Sequence, residues 1–181
     1  MEEQKLIRVI FFHRKPRKVG NYSVEFIFND VRKRLTRDFV PAVAYSHYES
    51  SGVLKRLYNC VEAMWKQGDV NHVTGDINYL GLFLSKRKTI QTILDCIHLQ
   101  SSSGIKYKIL KYFWLTIPAR NAAYLTAISN STKNEILKHE NIDPEKIKVI
   151  YNVKHELLHN NIHHATLELE SPDVPCSNEE C

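Results

Sequence analysis

Residues 155–159 read HELLH, which places two histidines and a glutamate at the spacing of a zinc hydrolase. On a helix, His155 and His159 would share a face and hold the metal, while Glu156 would activate its bound water. A third ligand is then required. The extension that supplies it in one large group of zinc proteases needs Gly and His at fixed places, and Ile162 and Ala165 stand there. Four of the nine histidines fall within ten residues of each other, which favours a chance match. A second set of reactive residues is spread along the chain. Arg14, Lys15, Arg17 and Lys18 form a basic loop before a helix, suited to phosphate or another anion or to a solvated surface. His72, with Gly75 and Asp76, and Asp95, with His98, follow short apolar runs. There they would grip hydroxyls or move a proton, or else pack and cap the helices that follow.

The elements that must position these residues alternate. Strands are predicted over 6–12, 38–46, 70–75, 88–96, 124–129 and within 142–151, from short β-branched and aromatic runs. Helices are predicted over 22–35, 52–68, 77–87, 105–118 and 130–141, capped by Ser23 in the first case and by Asn130 or Ser131 in the last. Pro41 marks the second strand as an edge or an irregular one. Such alternation gives an α/β fold, a parallel sheet with helices on both faces. Ligands then bind beyond the carboxyl ends of the strands, where the loops 13–22, 72–79 and 95–104 would converge.

The chain has 181 residues and a net charge of +5, unevenly spread. Residues 151–181 hold Lys154 against six acids, so that stretch is net −5 and the remainder net +10. A basic body suits nucleic acid, anionic lipid or a phosphorylated ligand, but no nucleic-acid-binding motif is present and none is expected as a partner. Cys60, Cys96, Cys176 and Cys181 form no C-x-x-C pair, so reduced thiols are expected, with Cys60 and Cys96 buried. No run reaches membrane-span length and no secretory signal opens the chain, which predicts a cytoplasmic protein. The alternation stops at Asn152. Residues 1–152 therefore read as one domain, and 153–181 as a His-rich, then acidic, flexible tail.

The segment AISNSTKNEILKHENIDPEKIKVIYN (127–152) resembles the end of the N-terminal domain of family-four GT-B glycosyltransferases. HVTGDINYL (72–80) is similar to that family's cleft-facing strand and loop, and GNYSVE (20–25) to its glycine-containing first loop. KTIQTILDC (88–96) is similar to its T-I-H-D strand end. The likeness spans roughly 6–152. It departs from the family at Leu94, where the family has His, and at Val19, which replaces the first of two glycines. It also departs at Val153, where the family continues with Gly-Val-Asp into a donor-binding domain.

The resemblance implies a Rossmann-like, acceptor-side half of a glycosyltransferase. Complete relatives transfer a sugar from a nucleotide sugar, as co-substrate, to a hydroxyl acceptor. It implies no bound cofactor or metal. It makes Gly20, Asn21, His72, Gly75, Asp76, Asp95 and His98 the cleft-facing residues and leaves the catalytic residues open. The implied partners are a second chain carrying the donor-binding domain and a glycan or lipid-linked acceptor. Peripheral contact at the inner face of a membrane is also compatible with the basic, aromatic ILKYFWL helix (109–115). Alone, the chain is expected to be truncated and inactive. Two other readings stay open: a non-enzymatic module that binds an anion or glycan or docks a partner, and a zinc hydrolase acting through HELLH.

Overall fold

A computed structural model describes residues 5–16, 23–100 and 103–151, apart from the side chains of Ser23, His98, Gln100 and Lys106. All of them belong to one compact unit, Met1–Tyr151. Strands β1 (Ile7–His13), β2 (Phe39–Tyr45), β3 (Val70–Thr74), β4 (Thr89–Ile93), β5 (Tyr124–Ala127) and β6 (Ile147–Val149) form one six-stranded sheet in the order β2-β1-β3-β4-β5-β6. Every pairing is parallel. The helices between strands are α1 (Ser23–Arg34), α2 (Val53–Trp65), α3 (Ile97–Gln100), α4 (Gly104–Lys111), α5 (Ile117–Asn121) and α6 (Asn130–His139). This is the α/β architecture that the alternation predicts, in the Rossmann-like form that the resemblance implies.

Period-two alternation in β1 assigns the two faces. Val9 and Phe11 pack beneath Phe28 of α1. Ile10 and Phe12 point the other way, against Cys60 and Ala63 of α2 and the buried Val73, Ile77 and Leu80. A third cluster, around Leu115, Ala119, Leu125 and Ile136, covers the β4–β6 half. Cys60 and Cys96 are buried and free, and burial raises their thiols to about 12 and about 11, so both are inert at neutral pH. Pro41 lies in β2, an edge strand, where its missing N–H costs no ladder bond to a further strand.

Three local expectations change. The 77–87 stretch forms two short 3₁₀ turns, Asn78–Leu82 and Lys86–Lys88, instead of one helix. Asn78, Tyr79, Leu80 and Gly81 are buried in succession, and Gly81 presses close to Gln91 and Pro118, so the first of these turns has no solvent face. Pro118 does not end its helix. A π turn over Tyr112–Thr116 precedes it, with Ile117 N–H donating to Tyr112 O, and α5 carries the proline in its first turn. The wider turn frees the Trp114 carbonyl that the proline ring would otherwise strike, and Asn78 Nδ2 approaches that oxygen at 3.4 Å. Helix α6 is capped by Ser129, not by Asn130 or Ser131. Ser129 has extended backbone, and its Oγ accepts from Thr132 N–H at 3.1 Å. No helix among the described residues is long and apolar enough to cross a membrane.

Candidate functional site

Because the sheet is parallel, all six strands end at one edge. From β1 the chain runs to β2 on one side and β3 lies on the other, so the strand order reverses between β1 and β3. Such a point leaves a crevice outside the carboxyl ends. A cleft of about 360 Å³ lies there, lined by Arg14, Lys15, Glu49, Ser50, Ser51, Asp76 and Trp114. Arg14 and Lys15 follow β1, Glu49 to Ser51 follow β2, and Asp76 follows β3.

Each wall is held by contacts below it. Arg14 lies between two carboxylates: Nε bonds Glu25 Oε1 at 3.0 Å and Nη1 bonds Asp76 Oδ2 at 2.8 Å. Glu25 stands in the first turn of α1, where the helix dipole favours an anion. Gly75 makes the turn that delivers Asp76. Its φ is +75°, and an added Cβ would meet Leu94 at 3.2 Å and Val24 at 3.3 Å, so helix α1 approaches β3 closely only because this residue is glycine. The 49–51 wall is fixed by buried Asn59, which donates to Tyr48 O and accepts from Tyr48 N–H. Tyr79 Oη meets both Asn59 Nδ2 and Ser50 Oγ. Arg56 donates to Ser50 O at 3.0 Å and lies over the Trp114 ring at 4.7 Å.

Beneath α1 runs a second polar group. His13 ends β1 and is buried. Arg32 Nη1 lies 3.0 Å from its Nε2, and Thr74 Oγ1 lies 3.1 Å from its Nδ1. A guanidinium only donates, so Nε2 accepts and Nδ1 carries the proton. Thr74 Oγ1 takes that proton's bond and donates its own to Phe12 O at 2.8 Å. Burial, and then the Arg32 charge, lower the His13 pKa to about 4. His72 packs against Phe11 and edge-on to Phe28, with Nε2 2.9 Å from Thr92 Oγ1, which in turn lies 2.7 Å from Thr126 Oγ1. Burial, and then nearby His13, lower its pKa to about 4 as well.

The fold thus brings Arg14, Lys15, Gly75 and Asp76 together at the cleft. His72 lies under α1, outside the lining. Asp95 caps α3, accepting from Ile97 N–H at 3.2 Å, and does not line the cleft. Arg17, Lys18, Gly20, Asn21 and the HELLH residues His155, Glu156 and His159 lie outside the described residues, as does the side chain of His98. Among the described residues, no group of three or more His, Cys, Asp or Glu could hold a metal ion. Sequence reasoning missed Glu25, Glu49, Ser50, Ser51, Trp114 and the His13–Arg32 pair. Only His13 carried a local signal, as the third member of the Val9, Phe11, His13 alternation. In comparisons with known proteins, no family model matches the chain and no curated protein is significantly similar to it.

Proposed function

We propose that the switch-point cleft binds the hydroxylated acceptor of a glycosyl transfer, and that this chain supplies the acceptor side of a GT-B glycosyltransferase. The observation that carries the reading is the convergence of Arg14, Lys15, Glu49, Ser50, Ser51 and Asp76 with Trp114 around about 360 Å³. Carboxylates and hydroxyls are the partners that sugar hydroxyls need, and an aromatic ring offers a flat apolar wall. Support also comes from the 127–152 resemblance. Its residues run as β5, the Ser129-capped α6, a proline turn at Pro144–Lys146 and β6 paired beside β5.

In this reading the acceptor oxygen attacks the anomeric carbon of a nucleotide sugar. The bond from that carbon to the diphosphate oxygen breaks, the nucleoside diphosphate leaves with the electron pair, and the acceptor's hydroxyl proton passes to the departing phosphate oxygens. The nucleotide sugar is held by a second domain or a second chain, and no metal or resident cofactor is called for. Calorimetry with alkyl glycosides and transfer assays with UDP and GDP sugars test it. The chain should bind glycosides in an Asp76-dependent manner and transfer sugar only when a donor-binding domain is supplied. Tight nucleotide-sugar binding and turnover by the chain alone would overturn the division of labour.

A binding module without turnover is the second reading, and the histidines favour it. His13 and His72, the histidines carried by β1 and β3, are both partnered beneath α1 and neither lines the cleft. Glycoside binding with no transfer under any donor condition would select it.

A further inference from the structure

A second cavity of about 510 Å³ lies between α2 and the α4–π segment. Val53 and Leu57 form one wall and Ile105, Ile109 and Phe113 the other; Arg56 is the charged group in the lining. These apolar side chains are well exposed, Val53 at 79% and Ile105 at 77%, although nearby Tyr79 and Leu80 are fully packed. Exposed apolar walls around a defined volume mark a binding groove more than a piece of core.

Trp114 lines this groove and also the polar cleft. The Arg56 guanidinium covers Trp114 and is tied to Ser50 of the cleft wall, so it stands at the seam between the two cavities. A ligand spanning both would be hydrocarbon at one end and hydroxylated at the other, with an electronegative junction beside the cation. We propose that the groove takes the hydrocarbon chain of a single-chain amphiphile whose hydroxylated head lies in the cleft. That the head is a sugar acceptor rests on the function proposed above; chain binding rests on the groove alone.

The test is calorimetry on the full chain with hexyl, octyl and decyl glucoside below their micelle concentrations. Each added methylene should tighten binding about fourfold until the groove is full. Leu57→Asp and Ile109→Asp should each weaken octyl glucoside at least tenfold and flatten the chain-length dependence. Both side chains are already 45% and 56% exposed, so the fold should accept the charge, which thermal melting verifies. Tyr124→Ser, on an exposed residue at the start of β5, should change nothing. Affinity independent of chain length, or unchanged in the groove variants, would overturn the proposal. So would a concentration-dependent dimer that the groove variants abolish, since the occupant would then be a second copy of the chain. Chain-length-dependent binding without transfer in the presence of a donor-binding domain would leave the groove assignment standing and sink the transferase reading. Transfer to glucosides without chain-length dependence would do the reverse.

Discussion

Arg32 meets a neutral His13: its Nη1 donates to His13 Nε2 across 3.0 Å, at the end of the first strand. A protonated His13 would turn two donors toward each other in a buried place. With His72 packed against Phe11 and Phe28 under α1, both histidines are lowered to about 4 from an ordinary 6.5. In the unfolded chain they take up protons as pH falls below 6.5, before the folded protein does. The unfolded state then binds more protons, so stability is present above pH 6.5 and is lost on the way down to about 4. The total is up to roughly 3 kcal/mol per histidine. Urea unfolding at a series of pH values between these limits reads the loss directly, and a flat profile would contradict the burial argument.

Burial is the larger cause of the His13 shift and Arg32 the second. Arg32→Met should therefore raise the His13 pKa but leave it below 6.5. Ring-proton NMR titration separates the two. A value unchanged in the variant would mean that the pair is not formed in solution.

Breaking one ion pair of Arg14 should cost far less than removing the cation from both. Asp76 is 46% exposed, so Asp76→Asn should cost under about 1 kcal/mol of stability while removing a cleft carboxylate. Arg14 is 12% exposed, and Arg14→Met would leave Glu25, 20% exposed with a buried Oε2, without its cation. A loss of about 2–4 kcal/mol is expected. Equal losses in the two variants would show that Arg14 is not held as described.

Two glycines should respond for different reasons. A Cβ on Gly68 would lie 2.6 Å from the Arg8 carbonyl oxygen and 2.9 Å from Ile10 Cγ1, so Gly68→Ala should cost about 2 kcal/mol or more. Gly52 has φ +81° and ψ 161°, a conformation almost confined to glycine, with open space around it, and Gly52→Ala should cost about 1–3 kcal/mol from backbone strain alone. Denaturant midpoints of the two variants rank them.

The HELLH segment has its own test. Dialysis against zinc followed by metal analysis gives the stoichiometry, and Glu156→Gln asks whether the glutamate acts on metal-bound water. Under the cleft reading that variant leaves glycoside binding untouched. Peptide hydrolysis that Glu156→Gln abolishes would establish the hydrolase instead.

The sheet was legible because its strands are short, β-branched and separated by helical spacing, and parallel order follows from that alternation. So was the edge at which Arg14, Lys15, Gly75 and Asp76 meet, since each follows a strand. The 49–51 wall was not legible. It reaches the cleft through Asn59 to Tyr48 and Tyr79 to Ser50, contacts between residues far apart in the chain whose types carry no local pattern. His13 was hidden by its neighbours: read with the basic loop that follows, it looks solvated, whereas the β1 alternation turns it inward. The 77–87 segment misled because its apolar residues suit a helix, while the stretch from Ile77 to Gly81 is buried in succession beside the sheet and closes into a tighter turn.

Amide chemical-shift mapping with octyl glucoside tests the central claim most directly. The account predicts that the largest shifts fall at Arg14, Lys15, the 49–51 wall and Asp76, with a second set along the groove at Leu57 and Ile109, and that Asp76→Asn weakens the first set. Shifts absent from the cleft, or centred elsewhere on the molecule, would contradict it.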